Sequence, residues 1–309
     1  MKLISVVTPC FNEEENIEEI YRQVRNVFLE LDNYNYEHIF IDNCSQDKTV
    51  EILKKIAEKD KNVKIIVNTR NFGHIRSPYY GLLQTSGDAA ISIVADLQDP
   101  PRLILDFIKK WEEGYKIVVG IKTKSTENFI MKSVRRLFYK FITKMSETKL
   151  LENYTGFGLY DKKIIDILRE LKDPYPYFRG IISDIGYDIA TIEYIQPSRF
   201  RGKTKNNFFT LYDMAIIGIV SYSKYVLRLV TIIGFCLSCI SLLIALFYFI
   251  YKIIFWDKFS VGIAPLVIGL FFFSSIQIFL IGFIGEYIEV ILTKIQNRPL
   301  VIEKERINF

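Results

Sequence analysis

Two uncharged apolar runs, Leu229 to Tyr251 and Phe259 to Gly285, constrain this chain more than anything else in it. A short connection holding Lys252, Trp256, Asp257 and Lys258 separates them. At a rise of 1.5 Å per residue, about 20 helical residues cross a hydrocarbon core of roughly 30 Å, and both runs are longer than that. The pattern predicts two membrane-spanning helices. Two crossings return the chain to the side it left, so the mixed-polarity sequence before Leu229 is expected to be a soluble domain held against a bilayer by a helical hairpin. Lys203, Lys205, Lys224 and Arg228 precede the first run and Lys294, Arg298, Lys304 and Arg306 follow the second, whereas the connection offers Lys252 and Lys258 against Asp257. Basic flanks of this kind stay in the cytoplasm. The apolar stretch Leu3 to Cys10 is too short for a signal-peptide core and runs into Phe11-Asn12-Glu13-Glu14-Glu15, which also keeps the domain cytoplasmic. The expected boundaries are a cytoplasmic domain over 1–206, an amphipathic interfacial segment over 207–228, two spanning helices within 229–292 with the second continuing past the interface, and a cytoplasmic tail over 293–309.

With 309 residues, 50% of them hydrophobic and 24% charged, the chain is too apolar for disorder and long enough for one sizeable domain besides the hairpin. The net charge of +5 is modest, and its basic residues gather toward the membrane runs rather than forming an aromatic-interleaved stripe. That composition argues against nucleic acid and for anionic lipid or phosphate as partner. The four cysteines have no metal-ligand spacing: Cys236 and Cys239 lie in the first apolar run, and Cys10 and Cys44 near strand ends. They are expected to be reduced and structural.

Short β-branched runs alternate with longer helical patterns. Ile4 to Val7, Ile39 to Ile41, Val63 to Val67, Ala89 to Val94 and Ile117 to Val119 read as strands. Glu14 to Leu31, Lys48 to Asp60, Ile75 to Gln84 and Arg102 to Glu113 carry apolar residues at three- and four-residue spacing and read as helices. Repeated βαβ units predict an α/β fold around a mainly parallel sheet, with ligands at the carboxyl ends of the strands. Ile130 to Met145 reads as a basic amphipathic helix bearing Lys132, Arg135, Arg136, Lys140 and Lys144, and Asn207 to Leu227 as an amphipathic segment in the interface.

The strand ends carry the most polar short motifs in the chain: Pro9-Cys-Phe-Asn-Glu-Glu, Asp42-Asn-Cys-Ser-Gln-Asp, Arg70-Asn-Phe-Gly-His and Asp96-Leu-Gln-Asp-Pro-Pro. Asp96, Gln98 and Asp99 follow a buried strand and precede Pro100 and Pro101, the second of which suits the start of a helix. Hard oxygen ligands at such a turn suit Mg²⁺ or Mn²⁺, which take one or two protein carboxylates and complete their shell with water and substrate phosphate.

In this order and spacing, Ser5-Val-Val-Thr-Pro-Cys-Phe-Asn-Glu-Glu, Ile41-Asp-Asn-Cys-Ser-Gln-Asp-Lys-Thr, Arg70-Asn-Phe-Gly and Ala95-Asp-Leu-Gln-Asp-Pro-Pro resemble the family-two inverting glycosyltransferases with the nucleotide-diphospho-sugar, Rossmann-like fold. Within that family the chain is similar to the polyprenyl-phosphate glycosyltransferases, among them dolichyl-phosphate mannose synthases and bactoprenol glucosyltransferases. The two apolar runs, Tyr154-Thr-Gly-Phe-Gly-Leu-Tyr-Asp, Arg199-Phe-Arg-Gly-Lys-Thr-Lys, Ser221-Tyr-Ser, Gly285-Glu-Tyr and Arg298-Pro299 extend the likeness over nearly the whole chain.

The resemblance implies that Pro9, Phe11, Asn12, Glu13, Asp42, Asn71 and Gly73 line the nucleotide-sugar site, with Asp42 near uracil or ribose. Asp96 and Gln98 would hold the metal, and Asp96, Asp99, Arg199 and Lys205 would serve the reaction. Arg199, Thr204 and Lys205 match a basic loop over the donor and acceptor phosphates, and Arg135, Arg136, Arg201 and Thr204 would hold the lipid phosphate, for which a guanidinium is chemically suited. The chain departs from the family at Asn43 and Val94, where relatives are often acidic, at Cys44, where they carry glycine, at His74, where they often have lysine, and at Lys122, where they often have arginine.

The expected reaction moves one sugar from a nucleotide-sugar, a uridine diphosphate sugar by resemblance, to polyprenyl phosphate, undecaprenyl phosphate by resemblance to bacterial relatives, at the bacterial plasma membrane. A lipid phosphate is already ionised near neutral pH and needs little general-base help, so the protein must align it with the anomeric carbon and neutralise the leaving diphosphate. Single displacement would convert an α-linked donor into a β-linked product. Gly262, Gly269, Ser274, Ser275, Gly282 and Gly285 would allow close helix packing within the hairpin or between protomers of a homo-oligomer. Two other readings compete. Gln196-Pro-Ser-Arg199-Phe200 is similar to the Gln-x-x-Arg-Trp signature of processive polysaccharide synthases, although phenylalanine replaces tryptophan and two spans are few for an export channel. Asn43 and Val94 motivate a non-catalytic, membrane-tethered nucleotide-sugar binder.

Overall fold

The computed structural model describes residues 1–124, 151, 153–197, 263–296 and 298–309, with scattered positions between 232 and 255. The expected basic helix over 130–145 and the interfacial segment over 207–228 lie outside the described residues.

β-branched and aromatic residues build β1 (Lys2–Cys10), β2 (Tyr34–Asp42), β3 (Val63–Asn68), β4 (Ala89–Ser92) and β5 (Ile117–Lys124), and the amphipathic segments between them fold as α1 (Ile17–Leu29), α2 (Thr49–Lys59), α3 (Gly73–Leu83) and α4 (Leu103–Glu112). β1 pairs in parallel with β2 on one side and β4 on the other, and β2 pairs in parallel with β3. Side chains alternate across this sheet as the two-residue period requires. Ile4, Val6 and Phe40 pack on one face with Ile20 and Val24 of α1, Leu53 of α2 and Phe107 of α4. Val7, Ile39, Ile41 and Ile66 pack on the other with Tyr79 and Leu82 of α3. A sheet covered on both faces explains why its strands read as nearly unbroken apolar runs.

With a last strand β8 (Glu303–Ile307), the sheet has eight strands in the order β7-β5-β6-β4-β1-β2-β3-β8, mostly parallel as expected, with antiparallel pairings at β6 and β8. β6 (Tyr154–Asp161) runs antiparallel between β4 and β5, and β7 (Ile189–Ile195) runs parallel to β5 at the edge. The insertion depends on Gly158, where an added Cβ would lie 2.5 Å from the Val118 carbonyl oxygen. Between β6 and β7, α5 (Lys162–Leu171) and α6 (Phe178–Asp184) add Ile164, Leu168, Ile181 and Ile182 to the face that holds α3.

α7 (Ile263–Ile295) contains a 24-residue stretch, Phe272–Ile295, with mean hydropathy 1.7 and none of its most apolar window buried in the protein. By length and composition it can cross a membrane, and an exposed apolar surface of that size requires a cover. Described residues of the first apolar run, such as Ile232, Phe235, Leu243 and Phe247, are helical and exposed as well. After α7 the chain does not trail away as the expected tail over 293–309. It forms β8 (Glu303–Ile307), antiparallel to β3, with Val301 buried and both the backbone N–H and the hydroxyl of Thr69 donating to the Ile302 carbonyl at 2.9 and 3.1 Å. Lys54 pairs with Glu305 at 2.6 Å, and the Tyr80 hydroxyl donates to Glu303 at 2.9 Å.

Candidate active site

The strand order reverses at β1, whose neighbours β2 and β4 lead the chain in opposite directions, and a crevice at the carboxyl ends follows from that topology. A cavity of about 160 Å³ lies there, lined by Pro9 near the end of β1, Ser92 and Val94 at and beyond the end of β4, His74 and Pro78 of α3, and Asp99. Thr155 and Gly156 of β6 and Tyr177, Phe178 and Arg179 at the start of α6 close its other side.

The loops after β1 and β2 hold one another. Asn12 and Cys44 are left-handed, with φ of 55° and 68°, a conformation in which asparagine is tolerated and a glycine would be relaxed. The Asn12 N–H donates to the Ser45 hydroxyl and the Gln46 N–H to Asn12 Oδ1, both at 2.8 Å. The Glu13 N–H donates to Thr49 Oγ1 at 2.8 Å, and the Lys48 N–H to Glu14 at 2.9 Å. Asp42 has no exposed surface and accepts from the Ser45 N–H at 2.9 Å and from the Ser45 hydroxyl. Burial raises its carboxyl above the usual range, against the opposing pull of those hydrogen bonds. The same burial, followed by the charge of Asp42, raises the Cys10 thiol, which accords with an inert structural cysteine. Asp42 therefore shapes the floor beneath the Asn12 and Ser45 loops.

Asn43 joins the β2 loop to the β3 loop with all of its side chain. Its Nδ2 donates to Asn71 Oδ1 at 2.9 Å and to the Gly73 carbonyl at 3.2 Å, while its Oδ1 accepts from Asn68 Nδ2 at 3.2 Å and the Phe72 N–H at 2.9 Å. Asn71 Oδ1 also accepts from the Gly73 N–H at 2.8 Å, and Gly73 takes a φ of 86° at the start of α3. A carboxylate at position 43 could not donate, so this junction requires the amide.

Leu97, with a φ of 60°, turns the backbone between Asp96 and Gln98, and the Gln98 N–H donates to Asp96 Oδ1 at 3.1 Å. Asp96 is buried and Gln98 half-buried. Asp99 is buried and accepts from the Tyr194 hydroxyl at 2.7 Å. Burial lifts its pKa to about 6, opposed by the Tyr194 hydroxyl and the Lys122 charge and reinforced by the charge of Asp96. Among the described residues no group of three histidine, cysteine or acidic side chains forms a self-sufficient metal cage. Asp96 and Gln98 nonetheless supply hard oxygen donors of the sparse kind a Mg²⁺ or Mn²⁺ shared with phosphate requires, so the residues present fit such an ion.

The structure thus brings together Pro9 and Asp99 in the cavity, Asn12, Glu13 and Asp42 in the first pair of loops, and Asn71 and Gly73 in the second, with Phe11 half-buried beside them. Arg135, Arg136, Arg199, Arg201, Thr204 and Lys205 lie outside the described residues. Sequence reasoning missed Tyr194, Arg179, and the fastening roles of Asn43, Ser45 and Thr49. The polar spacing of Asp42-Asn-Cys-Ser already pointed to a turn that bonds to itself, but nothing short of the strand order brings Tyr194 to Asp99.

A model of the family described as Glycosyl transferase family 2 matches residues 5–168, and these residues hold every strand-end motif just described up to Asp99. The chain belongs to glycosyl transferase family 2. It is 35% identical over 299 residues to the uncharacterized glycosyltransferase YkcC of Bacillus subtilis, covering 96% of this chain and 92% of that protein. It is 35% identical over 303 residues to the SfII prophage-derived bactoprenol glucosyl transferase of Shigella flexneri, covering 98% and 97% of the two chains. The prophage bactoprenol glucosyl transferase homolog of Escherichia coli is 34% identical over 302 residues. These likenesses bear out the resemblance read from the motifs. Among solved structures, glucosyl-3-phosphoglycerate synthase from Mycobacterium tuberculosis in complex with Mn²⁺, uridine diphosphate and phosphoglyceric acid superposes with a TM-score of 0.51 at 20% identity, over 71% of this chain and 76% of that one. At that identity it supports the fold of this glycosyl transferase family 2 member, an α/β domain with a mixed, mostly parallel sheet.

Proposed function

We propose that this family 2 glycosyltransferase moves one sugar from a nucleotide-sugar, taken to be a uridine diphosphate hexose or N-acetylhexosamine, to polyprenyl phosphate at the cytoplasmic face of the plasma membrane, with inversion at the anomeric carbon. The observation that carries the reading is the union, in one chain, of a family 2 crevice with an exposed apolar helix long enough to cross a bilayer. Support also comes from relatives named bactoprenol glucosyl transferases that match along nearly the whole chain. The mass of basic residues around the apolar runs favours the cytoplasmic orientation.

In this reading the loops holding Asn12, Glu13, Asn71 and Gly73 receive the nucleotide, and their cross-bonding through Asp42 and Asn43 keeps them in register before substrate arrives. Preorganisation of that kind lowers the barrier because the donor need not order the loops itself. Asp96 and Gln98 would hold Mg²⁺ or Mn²⁺, which when bound supplies positive charge for the departing diphosphate. Asp99, buried against Tyr194, fixes the wall of the cavity at the end of β4. The basic residues Arg135, Arg136, Arg199, Arg201 and Lys205, with the hydroxyl of Thr204, are proposed for the phosphates of donor and acceptor. An acceptor already ionised requires no general base, and none is assigned.

The test is transfer of label from a panel of uridine and guanosine diphosphate sugars to undecaprenyl phosphate by the purified full chain, with Mg²⁺ or Mn²⁺ and with chelator. One donor giving a single metal-dependent lipid product is expected, and Asp96→Asn should remove it. Product of increasing length would replace the proposal with a processive synthase. Metal-dependent nucleotide binding without any product would replace it with a tethered binder.

A further inference from the structure

The chain beyond α7 grips the segment that carries Asn71 and Gly73 from both of its ends. Ahead of the segment, where β3 stops, Thr69 gives its backbone N–H and its hydroxyl to the one carbonyl of Ile302, at 2.9 and 3.1 Å. Behind it, the Tyr80 hydroxyl of α3 donates to Glu303 at 2.9 Å, and the Arg306 guanidinium donates to the Gln84 side chain at the end of α3 at 2.7 Å. The pairing of β3 with β8 shifts register between Val67 and Asn68, just before Thr69. Irregularities of this kind re-aim the end of a strand and are common beside functional sites.

Between the two grips, residues 70–73 lean on the β2 loop. Asn43 accepts from the Phe72 N–H at 2.9 Å and donates to Asn71 and the Gly73 carbonyl, and the Cys44 thiol donates to the Thr69 carbonyl at 3.7 Å. The N–H, hydroxyl and carbonyl of Thr69 are therefore all engaged, the first two by Ile302. The gripping strand is itself fixed to the body of the domain. Val301 is buried, Lys54 pairs with Glu305 at 2.6 Å, and Asn308 Nδ2 donates to the carbonyls of Ala57 and Val63, both at 2.9 Å.

Closing the sheet needs only the backbone ladder from Ile65 to Asn68. The Thr69 hydroxyl and the Tyr80 side chain lie outside that ladder, and both act on the same segment. A loop held in its binding shape beforehand spares the ligand the cost of ordering it, and the saving appears as affinity. We propose that Thr69 and Tyr80 are positioning residues through which Ile302 and β8 set residues 70–73 for the donor nucleotide, making the end of the chain part of the donor site. The inference rests on the reading that Asn71 and Gly73 receive that nucleotide.

The experiment titrates uridine diphosphate with Mn²⁺ into the purified full chain by calorimetry, with the Tm of each variant measured alongside. Thr69→Val keeps the shape and the backbone bond of an exposed residue and removes only its hydroxyl. It is expected to weaken binding by roughly three- to tenfold, the worth of one hydrogen bond, while Thr69→Ser stays within about twofold of the native chain. Tyr80→Phe should weaken binding as Thr69→Val does, and is read by the same criteria if Thr69→Val fails to fold. Lys54→Met removes a contact of β8 outside the segment and should bind within about twofold of native whatever its Tm. A Thr69→Val chain that binds like the native one overturns the inference. So does a Lys54→Met chain that loses affinity to the same extent, since β8 would then act through the stability of the sheet alone. A native chain that takes up no nucleotide overturns the reading of the crevice and the inference with it, so the two failures are told apart by the native titration.

Discussion

Replacing Asn43 by Asp exchanges a donating amide for a carboxylate, and the geometry predicts that it damages the protein. The side chain is nearly buried, at 7% exposure, and its Nδ2 faces two oxygens, Asn71 Oδ1 and the Gly73 carbonyl. A carboxylate would lose both donated bonds and turn an anionic oxygen toward those two acceptors, while keeping the bonds from Asn68 and Phe72. Each unsatisfied buried group costs about 1–3 kcal/mol, so the expected loss is about 2–5 kcal/mol. For a chain of this size that corresponds to a fall in Tm of roughly 5–15 °C. Thermal unfolding of the detergent-solubilised full chain measures it, with Asn43→Ala as a companion that removes the donors without adding charge. The Asp variant should be the less stable of the two at pH 8, with the gap closing toward pH 4 as the carboxyl regains a proton. An Asp variant as stable as the native protein and tighter for Mn²⁺ would refute the reasoning, because it would mean that position 43 faces the ligand and not the neighbouring loop.

Tyr194→Phe removes the hydroxyl that opposes the upward shift of Asp99, whose folded pKa is about 6. A raised carboxyl pKa means the folded state holds the extra proton between about pH 4 and 6, so its contribution to stability falls as pH rises through that window. The variant should therefore lose about 1–3 kcal/mol at pH 8 and much less at pH 4, and an equal loss at both would discount Asp99 as the cause. His38 shows the opposite sign, being held neutral by burial with a pKa of about 3 beside the Thr8 hydroxyl at 2.9 Å. Its stabilising contribution is whole above about pH 6.5 and shrinks as pH falls toward 3, and His38→Gln should flatten that slope in acid unfolding curves. Cys44→Gly should be neutral or raise Tm by a few degrees, since the left-handed φ of 68° costs about 1 kcal/mol with a side chain, whereas Cys44→Val should lower it.

The five strands and four helices of the first 124 residues were legible because each buries a face whose period shows in the chain, as Ile20, Val24 and Phe28 do along α1. β4 ends at Ser92, short of the expected Val94, although the Ile93 N–H still donates to the Val7 carbonyl at 3.0 Å. β8 was illegible for a physical reason: Glu303-Lys-Glu-Arg-Ile is charged, covers no core face deeply and is held through its backbone and edge ion pairs. Motifs at strand ends marked the candidate site because parallel topology makes strand ends the place for ligands. The partner of Asp99 and the fastening by Asn43 depend on which strands and loops become neighbours, and the linear chain does not carry that order.

β8 has one more consequence. Its residues share a sheet with β1 to β7, yet they are made after α7, so a spanning α7 requires an even number of crossings between Ile195 and Glu303, and the run from Leu229 to Tyr251 is the natural second passage. During synthesis the outer edge of β3 stays open until Glu303–Ile307 has been made and, on the reading of α7 as a span, the apolar segments have entered the bilayer. An open edge invites pairing with other chains. On that reading the domain closes its sheet only after insertion, with β8 as the latch.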